Sequence, residues 1–132
     1  GYCFIDWAKR KAQYARAGHE PLVHLSRKAG DTAMREIGGR GRAIGLHDDI
    51  DLKTAEFEIA PGDRLVLFTD GVTECMDSAG TMFGEEELKE HLRATADMPP
   101  AAFTNGLMEK LKSFSGRDTF DDDITLLVVD IG

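Results

Sequence analysis

A short apolar run at residues 65–68, Leu-Val-Leu-Phe, constrains the fold more than any other feature of the chain. It is too short for a helix and apolar on both faces, so it predicts a strand buried on both sides. Residues 55–59 alternate polar and apolar side chains as a half-exposed strand does, and Pro61-Gly62-Asp63 predicts a turn between the two strands. Asp70-Gly71 follows the buried run. The sequence therefore places a carboxylate at the rim of a sheet, beside a glycine whose backbone can approach a ligand closely.

Composition limits the class of protein. The chain has 132 residues, enough for one domain, with 42% apolar and 30% charged residues, as in globular proteins. Its formal net charge of -8 argues against nonspecific binding to nucleic acid or to an anionic membrane surface. No apolar run approaches the roughly 20 residues of a membrane-spanning helix. Cys3 and Cys75 are too few for a disulfide framework, which predicts reduced thiols in a cytoplasmic protein.

The first half of the chain is predicted to be rich in strands. Residues 2–5 and 12–17 predict a hairpin whose turn is residues 6–10, and residues 22–25 predict a third extended segment. Residues 26–42 are polar and glycine-rich, and are interpreted as a loop with one short helical turn near 32–37. A short apolar run at 43–46 and an acidic connection at 47–51 then lead into the strands described above.

The second half predicts two helices and a closing strand. In residues 85–94, Leu88 and Leu92 are four apart and three glutamates fill the first turn, where the helix dipole favours negative charge. After Pro99 and Pro100, apolar residues recur at three- and four-residue spacing up to Phe114, which predicts a second amphipathic helix whose stripe packs in the core. Residues 124–129 are rich in β-branched side chains and predict an inner strand. The order predicts an α+β fold, an antiparallel sheet with helices laid on one face.

Two groups of carboxylates flank the two buried strands. Asp70 follows the first, and Asp121, Asp122 and Asp123 precede the second. If these strands are antiparallel neighbours, the end of one lies beside the start of the other, and the carboxylates meet at one rim. Oxygen ligands without Cys or His favour a hard divalent ion, Mg²⁺ or Mn²⁺. The alternative from the residues alone is that Asp70-Gly71 is a strand-terminating turn and the aspartates are a polar flank.

Two aromatic side chains near the start of the chain have simpler interpretations. His19, between Gly and Glu-Pro, is interpreted as a turn residue whose ring nitrogens serve neighbouring backbone groups, not as a ligand. Trp7, in the predicted hairpin turn, is interpreted as a local apolar cover.

Six segments, in this order, resemble the C-terminal part of the bacterial SpoIIE/RsbU-type serine phosphatases of the PP2C (PPM) superfamily. They are YARAGHEP at 14–21, IGL at 44–46, PGD at 61–63, FTDGVTE at 68–74, FG at 83–84 and DDITLLVV at 122–129. The joint occurrence of Thr-Asp-Gly-Val-Thr-Glu and Asp-Asp-Ile-Thr at this separation is more specific than either motif alone. The resemblance implies that residues 1–132 are the C-terminal portion of a PP2C-like domain, part of an α/β/β/α sandwich.

The resemblance also implies roles for individual residues. Asp70 and Asp122 match the family's metal-binding aspartates, and Gly71 and Asp123 match positions next to them. Asp121 is an additional acid to which the resemblance assigns no role. The family's reaction uses two Mn²⁺ or Mg²⁺ ions to lower the pKa of a water that attacks phosphoserine or phosphothreonine. Relatives dephosphorylate anti-sigma-factor antagonists and carry an N-terminal sensor domain. No nucleic acid and no membrane segment are expected.

One family motif has no counterpart in the chain. Relatives carry a Gly-Asp-Phe-Tyr-Asp-like motif on an earlier strand, whose aspartate bridges both metals, and Gly30-Asp31 does not match it in position. Two carboxylates are too few for a binuclear centre. We therefore expect this chain to be a piece of a longer phosphatase domain with little or no activity alone. The alternative is a non-catalytic module that binds a phosphoprotein or another partner on the same fold.

Overall fold

The computed structural model describes residues 1–28, 31–38, 45 and 52–132. Within this part, strands occupy both ends of the chain and two helices lie between the sixth and seventh strands. The elements are β1 (Tyr2–Asp6), β2 (Lys11–Ala15), β3 (Leu22–Lys28), β4 (Asp31–Ile37), β5 (Thr54–Glu58), β6 (Arg64–Phe68), α1 (Gly84–Ala94), α2 (Pro100–Ser115) and β7 (Leu126–Asp130).

The strands form two antiparallel sheets. The outer sheet has the order β1-β2-β5, and the central sheet has the order β4-β3-β6-β7. One apolar core fills the space between the sheets, and a second lies between the central sheet and the helices. The described part of the chain is thus a β/β/α stack, and the predicted α+β class is confirmed.

Strand β6 lies at the centre of this stack. Its side chains alternate between the two cores: Leu65 and Leu67 face the outer sheet, whereas Val66 and Phe68 face the helices. A strand between two layers must be apolar on both faces, which is why its sequence is continuous and not alternating. The prediction of a strand buried on both sides is confirmed.

Both predicted helices are present. Helix α1 buries Leu88 and Leu92, and α2 buries Phe103, Leu107 and Leu111. Helix α2 begins at Pro100, where a missing N–H costs nothing, and ends at Gly116 with φ of 66°. The stripe along α2 is core, as predicted.

The interpretation of residues 26–42 as a loop with a helical turn near 32–37 is wrong for the described residues. β3 continues to Lys28, and β4 pairs with it in register from Leu22↔Ile37 to Lys28↔Asp31. Asp31 is therefore a strand residue, not a loop residue. Three charged residues in β4 obscured the period, but Met34 and Ile37 still face opposite cores, as positions three apart on a strand do. Apart from Gly45, the predicted apolar run 43–46 and acidic connection 47–51 lie outside the described residues.

The closing strand is shorter and differently placed than predicted. β7 begins at Leu126, and in the described part of the chain it lies at the edge of the central sheet, paired with β6 alone. The prediction of an inner strand was therefore wrong for these residues, and Leu127 is 55% exposed. β-branched content reports a fit to a pleated surface and does not distinguish an inner strand from an edge strand.

The predicted turn at Pro61-Gly62-Asp63 is confirmed, and it is anchored by a side chain that sequence reasoning did not identify. Gly62 has φ of 90°, a conformation that favours glycine. The Asp63 carboxylate accepts hydrogen bonds from Ala60 N (2.9 Å) and from His24 Nε2 (2.8 Å). His24 and Asp63 are both buried, so this pair fixes the turn that leads into β6.

In the described ranges, no helix is long and apolar enough to span a membrane.

Candidate active site

The end of β6 holds Asp70 on a hydrogen-bonded turn. Val72 N donates to Thr69 O (3.1 Å), and Glu74 N donates to Asp70 O (2.8 Å). The Thr73 hydroxyl also donates to Asp70 O (3.1 Å). Val72 is fully buried under this turn, whereas the Asp70 side chain is exposed. The turn therefore presents the carboxylate to solvent from a fixed backbone.

Antiparallel pairing brings the two predicted motifs together. β6 and β7 pair from Arg64↔Asp130 to Phe68↔Leu126, so the residues after β6 lie beside the residues before β7. Thr69 continues this pairing past the end of the strands, because its N–H donates to Thr125 O (3.1 Å). The expectation that these strands are antiparallel neighbours is confirmed.

The Thr69 side chain cross-links the motifs a second time. Its hydroxyl donates to Asp123 O (3.1 Å) and accepts from Thr125 N (3.0 Å). Sequence reasoning did not single out Thr69. The signal was available, since a threonine directly before Asp-Gly at a strand end can satisfy the backbone of a neighbouring strand.

Position 71 requires a glycine because the backbone of Asp123 lies close to it, and not because of its φ angle. A Cβ placed on Gly71 would lie 2.6 Å from Asp123 O and 3.4 Å from a side-chain carbon of Ile124. No larger residue fits without separating the two segments. The absence of a side chain at Gly71 thus lets the Asp70 turn lie directly against the segment that carries Asp122 and Asp123.

Asp70 and Asp122 have surroundings that suit cation ligands. Asp70 Oδ1 accepts from Gly71 N (3.1 Å), and Asp122 Oδ1 accepts from Asp123 N (2.7 Å). In the described part of the chain neither carboxylate pairs with a lysine or arginine, whereas Asp121 binds Arg117 Nη1 at 3.1 Å through both of its oxygens. Exposed oxygen donors without a protein counter-cation fit Mg²⁺ or Mn²⁺.

Residues 1–28, 31–38, 45 and 52–132 do not complete a metal cluster. Among them there is no group of three or more His, Cys, Asp or Glu side chains placed to hold an ion. The structure therefore brings the two motifs that carry Asp70 and Asp122 side by side, and the described residues contribute a pair of carboxylates, not a closed cage.

His19 and Trp7 lie apart from these motifs in the sequence and in their contacts. His19 Nδ1 is 3.0 Å from Glu20 O and 3.4 Å from the Tyr14 hydroxyl, so the ring serves the local backbone as predicted. Trp7 follows β1 and is 52% exposed. Cys3 and Cys75 are free thiols.

The two-sheet core with helices on one side is the fold of PP2C-type phosphatase domains. The SiaA-PP2C domain of Pseudomonas aeruginosa matches 98% of this chain with a TM-score of 0.84 and 27% identity. The phosphatase domain of SpoIIE from Bacillus subtilis matches 98% of the chain with a TM-score of 0.68 and 21% identity, which shows the shared fold alone. The chain covers 50% of the first domain and 56% of the second.

The chain belongs to the SpoIIE family, since the family model described as "Stage II sporulation protein E (SpoIIE)" matches residues 1–132. The phosphoserine phosphatase RsbU of Bacillus subtilis (strain 168) is 31% identical over 131 residues, which are 97% of this chain and 37% of that protein. The chain thus spans little more than a third of this relative. The resemblance inferred from the motifs is confirmed.

Proposed function

We propose that this chain is part of a metal-dependent protein serine/threonine phosphatase. The observation that carries the proposal is the juxtaposition, across the β6–β7 pair, of two motifs whose Asp70 and Asp122 carboxylates are exposed and have no cationic partner in the described residues. Like charges at one rim repel each other unless a cation lies between them. The name of the relative RsbU, a phosphoserine phosphatase, supports the same chemistry.

Asp70 and Asp122 are the proposed metal ligands, and Mn²⁺ or Mg²⁺ the proposed ions. When bound, such ions lower the pKa of a water and neutralise phosphoryl oxygens, so hydrolysis needs no protein nucleophile. Thr69 and Gly71 position the ligands: the threonine ties the two backbones together, and the glycine allows them to touch. Asp123 contributes its carbonyl to that junction.

A single pair of carboxylates is a weak metal site, because hard divalent ions take six or more oxygen ligands in proteins. We propose that a further carboxylate from outside this chain completes the binuclear centre. On this proposal, residues 1–132 by themselves bind metal weakly and hydrolyse phosphoserine slowly or not at all. The domain would be joined to an N-terminal sensor and would act in the cytoplasm on a phosphoserine or phosphothreonine protein, an anti-sigma-factor antagonist being the substrate class that the family resemblance favours.

Calorimetric titration with Mn²⁺ tests the ligands. Asp70→Asn and Asp122→Asn are each expected to weaken Mn²⁺ binding by about tenfold or more, the scale on which even the partners of metal ligands act. Asp97→Asn is the matched control, since Asp97 is an exposed acid in the segment between α1 and α2 and its replacement should leave binding unchanged. Equal Mn²⁺ affinity in all four proteins would overturn the assignment of Asp70 and Asp122.

Phosphate release from a phosphoserine peptide in Mn²⁺ tests activity separately. The isolated chain is expected to show little release, and the longer protein that contains it is expected to show turnover that Asp70→Asn abolishes. Robust turnover by the isolated chain that Asp70→Asn abolishes would overturn the proposed need for an outside ligand. A longer protein that binds a phosphopeptide without metal and without hydrolysis would instead support the non-catalytic binding module.

A further inference from the structure

A cavity of about 170 Å³ adjoins the carboxylate pair. It lies between the turn that follows β6 and the segment that joins α2 to β7, and Gly71 and Asp122 form the side that it shares with the proposed metal site. Its other walls come from residues 74–76 of that turn, from Ser115 at the end of α2, and from Arg117, Phe120 and Asp121. A group bound here would contact Gly71 and Asp122, which belong to the proposed metal site.

The charged groups of this cavity are mostly occupied. Arg117 is bound to Asp121 through two contacts of 3.1 Å, and Asp122 belongs to the proposed metal site. The Ser115 hydroxyl accepts from Arg117 N at 3.3 Å and is 5% exposed, so it is part of the end of α2. Glu74 is the remaining acid, and its side chain is exposed at the mouth.

The surface left for a ligand is apolar. Cys75 is buried, and burial raises the pKa of its thiol, which keeps that wall uncharged at neutral pH. Phe120 packs against the helix-facing core, so its ring is held in place. Met76 is 39% exposed and supplies a flexible thioether that adapts to the shape of a ligand.

The volume of the cavity limits the size of the ligand that it can hold. At about 170 Å³, the cavity is smaller than the roughly 300–1,000 Å³ of typical sites for drug-sized molecules and cofactors. At about 30 Å³ for each liquid water, the cavity holds only a few waters, which matches one side chain and not a second peptide segment.

We propose that this cavity is a subsite for one aliphatic side chain of the protein substrate, close in sequence to the phosphorylated residue. The inference rests on the proposed phosphatase function and deepens it, because it assigns Met76 and Phe120 to substrate selection. Met76 is a specificity residue in this assignment, not a metal ligand.

Peptide selectivity tests the subsite. The full-length protein that contains this sequence is assayed in Mn²⁺ with phosphoserine peptides that carry leucine or glycine at one position, scanned across the residues on both sides of the phosphoserine. At one position, leucine should raise kcat/KM about tenfold over glycine, the discrimination that an apolar pocket provides. Met76→Gln should reduce this ratio at least threefold, mainly through KM. Met98→Gln is the matched control, because Met98 is 44% exposed and lies in the segment between α1 and α2; it should keep the wild-type ratio.

Two results overturn the subsite: no position shows a preference for leucine, or Met76→Gln and Met98→Gln give the same ratio although both unfold at the wild-type temperature. Fluorescence anisotropy with the labelled leucine and glycine phosphopeptides separates this failure from a failure of the phosphatase assignment. If no phosphate is released but the leucine peptide still binds more tightly in a Met76-dependent way, the proposed reaction fails and the subsite stands. If neither release nor Met76-dependent binding is seen, both fail.

Discussion

The two ends of the β6–β7 pair use the same residue type in opposite ways. At one end, the Asp130 carboxylate binds Arg64 through two hydrogen bonds, Nε to Oδ1 at 2.6 Å and Nη2 to Oδ2 at 2.8 Å. At the other end, Asp70 and Asp122 are exposed and bind only neighbouring backbone N–H groups in the described structure. The Asp130 carboxylate stabilises the fold because it neutralises a buried arginine. The Asp70 and Asp122 carboxylates make no such stabilising ion pair in the described structure.

The Arg64 end is built as a structural junction. Arg64 is fully buried, donates to Met98 O at 2.8 Å, and stacks its guanidinium 4.7 Å from the centre of the Phe103 ring. Arg27 adds a contact of 3.5 Å to Asp130 and donates to Ala96 O at 3.0 Å. These arginines join the central sheet to the segment between α1 and α2. The comparison teaches that the fold neutralises the acid beside its buried arginine and leaves Asp70 and Asp122, the proposed metal ligands, without a cationic partner among the described residues.

The largest expected effect is at the paired end. Asp130→Ala should lower the free energy of unfolding by about 3 kcal/mol, because it leaves a buried guanidinium without its counter-charge. The expected value is at the low end for a buried pair, since the Asp130 side chain is 32% exposed while that of Arg64 is 0% exposed. Urea denaturation at pH 7 measures the loss.

Asp122→Ala is the matched variant at the other end. It should change the free energy of unfolding by no more than about 0.5 kcal/mol, as surface substitutions do. Equal losses for Asp130→Ala and Asp122→Ala would show that both ends are structural, and would remove the main physical support for the metal site.

The second prediction concerns the contact between the motifs at the exposed end. Gly71→Ala should destabilise the fold by about 2 kcal/mol, because the new methyl would lie 2.6 Å from the backbone oxygen of Asp123 and the two segments would have to separate. If Asp70 and Asp122 share an ion, the same variant should also weaken Mn²⁺ binding. Gly106→Ala is the matched control, because the added Cβ would lie 3.8 Å from its nearest neighbour, a ring carbon of His91. Gly80→Ala would not serve, because Gly80 has a φ of 80°, which strains any side chain.

A Gly71→Ala protein with wild-type stability would contradict the close approach. A destabilised protein with unchanged Mn²⁺ affinity would separate the contact from the metal site, and would sharpen the comparison by leaving Gly71 a packing role alone.

The exposed end could be largely predicted from the sequence, and the paired end could not. The run at 65–68 and the position of Asp70 after it specify a buried strand with an acid at its rim, and the second run near 124–129 specifies its neighbour. Both signals are local. The Arg64–Asp130 pair joins residues far apart in sequence, and neither residue stands in a pattern that marks it as buried. Sequence periodicity likewise failed for β4, where the pairing with β3 overrides a charged composition.

The third prediction tests the Thr69 bridge. Thr69→Val should cost about 1 kcal/mol, since Asp123 O and Thr125 N lose a partner but lie where water can replace it. Thr104→Val is the matched control, because the Thr104 hydroxyl only donates to carbonyls of its own helix. Thermal unfolding of both variants should show a lower Tm for Thr69→Val alone. A similar Tm for the two would mean that strand pairing holds the motifs without the hydroxyl.

The smallest expected effect is the acid sensitivity of the paired end. Hydrogen bonds from Arg64 lower the pKa of the Asp130 carboxyl from its ordinary value, assisted by the charges of Arg64 and Arg27. A lowered folded-state pKa means that the unfolded chain binds the proton more readily, so the stabilisation is complete above the unfolded value of about 3.9 and is lost as the pH falls through the folded value. Between about pH 5 and pH 3, the free energy of unfolding of Asp130→Asn should therefore fall less steeply with falling pH than that of the wild type. The difference between the two slopes should correspond to the uptake of less than one proton on unfolding. An unchanged slope in Asp130→Asn would mean that the Arg64 pair persists in the unfolded chain or contributes nothing to folding, and the contrast between the two ends would then rest on burial alone.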